Sequence, residues 1–200
     1  MIRALMVDVD GVLVRGRRGD GRHWSTDLAA DLSLDPTRLQ REFFAVHWEA
    51  IVLGRAALRE KLAPVLARIA PKISADRVIE YWFATDARLN ERLLADLAAA
   101  RADGLQVHLV TNQEHERARY LLRELRLGEA IDGCHYSAAL GCRKPEARFF
   151  ETVARRVEFA PAELLLIDDV EENVTAAKTA GWRAVRWMPD SVLSEALRIA

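Results

Sequence analysis

"MVDVDGVL", residues 6–13, joins an apolar run to a pair of acids. Ala4, Leu5, Met6 and Val7 have the character of a buried strand, yet the run stops on Asp8. Asp10 follows two residues later, and Gly11 stands directly behind it. A buried charge costs several kcal/mol unless a partner compensates it. The stretch therefore reads as a strand that carries two acids out of the core at its carboxyl end. Gly11 lets the chain turn sharply just beyond them.

Three more segments share the buried-strand character of residues 2–7, at 106–111, 163–168 and 183–186. A short fifth strand is expected at 133–137. Helical patterns alternate with these strands at 89–101, 114–125, 146–157 and 173–180, the last closed by Gly181. This alternation predicts an α/β fold with a doubly wound parallel sheet. One segment breaks the pattern. About ninety residues separate the first strand from the second, far more than a βα unit requires. The stretch 24–83 is helical in period. Leu39, Phe43, Phe44, Val46, His47 and Ile51 mark one helix. Leu58, Leu62, Val65, Leu66 and Ile69 mark a second, which contains Pro64, and Val78, Ile79, Trp82 and Phe83 mark a third. Pro36 and Pro71 fit boundaries. The stretch is expected to be an all-helical insert folded over the sheet.

The bulk composition narrows the function. The 200 residues are 50% hydrophobic, enough for one domain or a core with a small insert. Charged residues nearly cancel, leaving a formal net charge of -1, which excludes a polybasic nucleic-acid binder and an acidic disordered chain. No apolar run reaches the roughly 18 residues of a membrane span. The amino terminus runs straight into the acidic motif, so no cleavable signal peptide is expected. Cys134 and Cys142 are too few for a disulfide scaffold and lack zinc-type partners, so reduced thiols in a cytoplasmic protein are expected.

Ligands of a parallel sheet sit outside the carboxyl ends of its strands. There the first strand delivers Asp8 and Asp10. The second delivers Thr111 and Asn112, in "LVTNQ", and the third delivers Asp168 and Asp169, in "LLLIDDVEEN". The loop "GCRKPEARFF" adds Lys144. Each segment alone has a plainer reading: an acid or Thr-Asn pair after a strand is often a helix cap or turn former, and a lysine before proline is usually a solvated loop residue. Capping does not account for all four occurring together. Converging carboxylates repel, so a hard cation must hold them, and oxygen-only ligands select Mg²⁺. Asp8 would offer one oxygen to the metal and the other as nucleophile. Asp10 would protonate the leaving oxygen and later activate water. Thr111 would bind the phosphoryl oxygens, and Lys144 would neutralise the charge on nucleophile and phosphoryl group.

"DVDGVL", "TNQ", "RKPE" and "IDDVEEN" together resemble, in order and spacing, the four motifs of the haloacid dehalogenase-like hydrolases. The resemblance spans residues 6–182. It implies a Rossmann-like core of residues 1–14 and 90–200, with a helical cap of residues 15–89. It further implies catalysis by Asp8, Asp10 and Lys144, phosphate binding by Thr111, Asn112 and Lys144, and Mg²⁺ held by Asp8, the backbone carbonyl of Asp10, and Asp169. Asp168 would act through water or from behind the ligands. "LGCRKPEARFF" resembles small bacterial sugar-phosphate phosphatases. The implied reaction is hydrolysis of a small phosphorylated metabolite in the cytoplasm, without nucleic-acid or membrane partners, by a monomer or homodimer. A phosphomutase, a 2-haloacid dehalogenase and a silent binding protein are the rival readings. Asp10 favours phosphoryl transfer over dehalogenation, because carbon–halogen cleavage has no leaving oxygen to protonate. Val170 stands where relatives often carry a polar residue.

The insert should supply substrate contacts. Its polar candidates are Arg22, His23, His47, Trp48, Glu49 and Arg55, with His47 and Trp48 also fitting cap packing. The Gly54-Arg55 break is expected to form a loop facing the site. The arginine cluster around 16–21 is expected to be mobile. His108 lies inside a strand and reads as core or surface, and Glu114 and His115 as rim residues.

Overall fold

The computed structural model describes residues 1–199. Its sheet contains β1 (Ala4–Val7), β2 (Gln106–Thr111), β3 (Gly133–Tyr136), β4 (Leu164–Asp168) and β5 (Arg183–Arg186). All pairings are parallel, in the order β3-β2-β1-β4-β5. The chain steps from β1 out to β3, then crosses back over β1 to reach β4. That reversal leaves a crevice at the carboxyl ends of β1 and β4. Val7 is in register with both Leu109 and Ile167, so Asp8 emerges level with Asp168.

Alternate strand residues feed two separate cores, as a sheet covered on both faces requires. Leu5, Val7, Leu109, Leu165 and Ile167 pack against Leu93 and Leu97 of α6 (Glu91–Ala102) and Leu193 of α11 (Leu193–Ile199). Ala4, Met6, Val110 and Leu166 pack against Phe149, Phe150 and Val153 of α9 (Ala147–Val157) and Val174 of α10 (Glu171–Thr179). β1 and β4 are thus apolar on both faces up to Asp168, the last residue of β4, whereas β2 carries the imidazole of His108 within it.

Between β1 and α6 lies the helical insert. It contains α1 (Leu28–Leu32), α2 (Pro36–Leu39), α3 (Ala45–Val52), α4 (Leu58–Ile69) and α5 (Ala75–Thr85), with a π-helical turn at Gln40–Phe44. The helix expected from Leu39 to Ile51 appears as α2, the π-helical turn and α3 in unbroken succession, and α1 is an addition too short to show a period. Asp35 caps α2 by accepting from Thr37 and Arg38, with Pro36 at the first helical position. α4 accommodates Pro64 in its interior. The insert has its own core, built around Trp24, Phe43, Leu62, Trp82 and Phe83. The arginine loop is anchored rather than loose: Arg17 pairs with Asp27 and Asp20 and makes an antiparallel bridge to Asp86.

Three ties join the insert to the sheet layer. Arg117, in α7 (His115–Arg123), is buried and donates to the backbone oxygens of Phe83 and Asp86 and, at 3.3 Å, to the Asp86 carboxylate. Ser137 donates to the carbonyls of Val52 and Gln113, at 2.6 and 3.1 Å. Gly54 presses on the Ala138 carbonyl so closely that an added Cβ would lie 2.3 Å from it. No helix of the described residues is long and apolar enough to cross a membrane.

His108, in β2, stacks on His135 of β3, with their nitrogens 3.3 Å apart, and also bonds Gln106. Burial pushes both imidazoles down, His135 to about 4. The unfolded chain takes up these protons near pH 6.5 while the folded chain does not. Acidification from pH 7 to 5 therefore favours unfolding through this pair. The Tm difference between those two pH values should shrink in His135→Phe, measured by thermal melts of both proteins. Arg117→Met leaves the Asp86 carboxylate and two carbonyls without their donor, and should cost about 3 kcal/mol in urea unfolding.

Candidate active site

Asp8 follows directly from β1, and its amide donates to the Ile167 carbonyl, which fixes the strand end against β4. The chain then folds into a tight loop: the amides of Leu13 and Val14 both donate to the Val9 carbonyl at 2.8 Å. Gly11 adopts φ +80° in this loop, and an added Cβ would lie 2.1 Å from an oxygen of Asp169. Only glycine fits there, for both reasons.

Lys144 is the pivot. Its Nζ lies 2.9 Å from Asp8 Oδ1 and 2.6 Å from Asp168 Oδ2, with all three side chains nearly excluded from solvent. Burial alone would lower the lysine pKa, but the two carboxylates outweigh it and raise it. The loop that carries Lys144 is held by Asn112. The Asn112 side chain donates to the Lys144 carbonyl and accepts from the Lys144 amide, both at 2.9 Å. One N–H of its amide group is thereby engaged by the loop backbone. Thr111, the last residue of β2, is buried at the same edge.

The two acids after β4 divide. Asp168 is fully buried and surrounded by donors: Oδ1 accepts from the Val170 amide at 2.9 Å and from Asn173 at 3.0 Å, and Oδ2 accepts from Asn173 at 3.1 Å as well as from Lys144. The Asp169 carboxylate accepts no hydrogen bond and pairs with no cation among the described residues. Burial and the neighbouring Asp168 raise its pKa. Asp8, Asp168 and Asp169 each present an oxygen within 4.8 Å of the others, a spacing that bound Mg²⁺ can draw together. Burial pushes the Asp8 carboxyl up to about 7, with Lys144 pulling it down and Asp168 pushing it further up. An all-carboxylate donor set of this kind fits a hard divalent cation.

Asp10 stands exposed on the rim of this pocket. Its Oδ2 accepts from the Gln113 side chain at 2.5 Å. Desolvation around the carboxyl raises its pKa to about 6, opposed by the Arg117 guanidinium; access of water to the residue tempers the rise. Beyond Asp10 opens a cleft of about 570 Å³ between the first loop and the insert. Of the cap candidates, His23 lines it. Trp48 and His47 instead pack against Phe44 and Phe43 on the helix side.

Two contributors escaped the sequence reading: Gln113 adjoins the Thr-Asn pair and holds Asp10, and Asn173 holds Asp168. Glu114, expected at the rim, is buried and caps α7 by accepting from the amides of Glu116 and Arg117. The signal for Gln113 was its place in "TNQ". Asn173 carried the weaker signal of an amide one helical turn beyond the paired acids.

Comparison with known proteins bears on the same motifs. The profile of the haloacid dehalogenase-like hydrolases matches residues 2–181. A sesquiterpene phosphatase of Aspergillus oryzae is 33% identical over 95 residues, covering 47% of this chain and 48% of that one. A phosphatase of Mycobacterium tuberculosis is 33% identical over 89 residues, covering 44% and 41%. The matched stretch thus spans about half the length of these relatives or less. In fold, the chain is similar to a HAD family enzyme of Bacteroides thetaiotaomicron solved with magnesium and inorganic phosphate, with a TM-score of 0.80 at 18% identity and 98% coverage of both chains. With the parallel sheet, the helical insert and the family profile over nearly the whole length in agreement, the chain belongs to the haloacid dehalogenase-like hydrolases.

Proposed function

We propose that the chain is a Mg²⁺-dependent phosphatase that hydrolyses a small phosphorylated metabolite through an aspartyl-phosphate on Asp8. One observation carries this reading: the acids divide into a saturated one, Asp168, and two that keep oxygens free at one point, Asp8 and Asp169. The phosphatase names of the two curated relatives support it. Residues 1–14 and 90–200 form the hydrolytic core in this reading, and residues 15–89 form the cap.

Asp8, Asp169 and the backbone carbonyl of Asp10 would hold Mg²⁺, with Asp168 behind them. The bound cation would supply positive charge to the phosphoryl oxygens and keep Asp8 ionised. A carboxylate oxygen of Asp8 attacks phosphorus while Lys144 offsets the charge on both groups. The bond from phosphorus to the leaving oxygen breaks, and Asp10 gives that oxygen its proton. Asp10 then takes a proton from water, whose oxygen attacks the aspartyl-phosphate and restores Asp8. Thr111 would donate to the phosphoryl oxygens, and Asn112 would keep Lys144 in place. Gln113 orients Asp10 for both proton transfers. The presence of Asp10 favours this chemistry over carbon–halogen cleavage, which needs no proton donor to a leaving oxygen. The unpaired thiols Cys134 and Cys142 support the cytoplasmic expectation.

Turnover of p-nitrophenyl phosphate should require Mg²⁺ and stop on chelation. Asp8→Asn should abolish it, and Asp10→Asn should lower kcat for an alkyl phosphate by at least about 10²-fold. An unchanged rate in Asp10→Asn would reassign the acid. Halide release from 2-haloacids without added metal would overturn the reading. Asn173→Ala should raise the Mg²⁺ concentration for half-maximal activity by about 10–100-fold, the scale of lost support behind metal ligands.

A further inference from the structure

The cleft beside Asp10 has a chemical character of its own. Because Asp10 and Gly11 form one end of it, a leaving group whose oxygen receives the Asp10 proton must lie in this space. Its volume of about 570 Å³ is that of a small-molecule site. Its walls are the side chains of Val14, Trp24, Trp82 and Pro189. The Trp24 and Trp82 rings stack 5.2 Å apart at 23°. The Phe44 and Trp48 rings also pack on Trp82, at 5.7 and 5.8 Å.

The polar groups of the cleft are few and mostly occupied. Asp86 pairs with Arg117. His23 Nδ1 is engaged by the hydroxyl and the amide of Ser25. Arg15 donates from Nη1 to the Pro189 carbonyl, and its buried Nε has no partner. Among the described residues, no serine, threonine, asparagine, glutamine, tyrosine or lysine lines the cleft. A sugar would bring a ring of hydroxyls against tryptophan, valine and proline. Each hydroxyl that lost water without gaining a partner would weaken binding. Beyond Asp10, the partners left for such a ring are the remaining Arg15 N–H groups, the second ring nitrogen of His23 and the Asp86 carboxylate. An apolar leaving group loses nothing there and removes its own surface from water.

We propose that the cleft selects phosphomonoesters of apolar alcohols over those of polyols, with Trp24 and Trp82 as the contact wall. The inference rests on the phosphatase reading and names its substrate class. It also parts from the sugar-phosphate resemblance of the Lys144 loop, which lies at the catalytic edge and does not line the cleft.

The test compares two esters of primary alcohols, so that the leaving oxygens have similar intrinsic reactivity. With Mg²⁺ present, kcat/KM for 2-phenylethyl phosphate should exceed that for glucose 6-phosphate by at least about tenfold, the scale on which apolar pockets discriminate. Trp24→Ala should remove most of that ratio, mainly through KM for the phenylethyl ester. Trp24 helps hold the insert together, so a measurement on the unaltered protein stands beside the variant. There, 3-phenylpropylphosphonate should inhibit competitively at a concentration at least about tenfold lower than methylphosphonate does. Equal or better turnover of glucose 6-phosphate, or equal inhibition by the two phosphonates, overturns the inference alone. Absence of turnover on every ester overturns the phosphatase reading and this inference with it.

Discussion

A single buried ammonium makes the catalytic edge possible. Lys144 Nζ touches Asp8 and Asp168 at once, at 2.9 and 2.6 Å, in a place water hardly reaches. Two carboxylates so close would otherwise repel and protonate. The lysine would equally lose its charge if buried alone. The two carboxylates hold the Lys144 charge, and Lys144 pulls the Asp8 pKa down, although burial still leaves it raised to about 7. The three acids and one ammonium carry a formal charge of −2 when all are ionised, which is the charge a divalent cation offsets. Asp169 is the carboxylate of the group without a side-chain hydrogen-bond partner among the described residues.

Sheet topology decides where that charge can gather. β1 and β4 are apolar on both faces up to Asp168, so no acid fits before their ends. β1 sits between β2 and β4, and the reversal of chain direction there leaves a crevice between the carboxyl ends of β1 and β4. Register then aligns Asp8 with Asp168, and the loop of Lys144 reaches over from the far side, tied to Asn112 at the end of β2. Three strand ends and one loop converge through ordinary rules of parallel sheets, without strain at the acids themselves.

Much of this was legible in the sequence because it depends on local pattern. An apolar run ending on an acid marks a strand and its exit, and strands alternating with helices imply a parallel sheet. Interactions over distance were not legible. Asp168 and Asp169 are chemically identical neighbours, and only the approach of Asn173 and Lys144 separates the saturated acid from the open one. The Asn112 side chain also closes a two-bond clasp on the Lys144 backbone that no spacing rule reveals. The insert was legible as helical, but α1, at five residues, is shorter than the window in which a helical period shows. The glycine-rich arginine loop suggested mobility, yet Arg17 finds Asp27 and Asp20 and holds it down.

The segment 113–117 explains how the leaving-group cleft and the catalytic edge stay in register. The Gln113 side chain holds Asp10, and its carbonyl accepts from Ser137, which also grips the Val52 carbonyl of the insert. Four residues on, Arg117 fastens the end of α5 through Phe83 and Asp86. Asp86 and Trp82, from that same helix end, line the cleft. A displacement of the insert relative to the sheet would therefore pull on the same short segment that orients Asp10. The groups that would cradle the leaving group and the acid that would protonate it are set by one turn of backbone, so that neither can shift by much without the other.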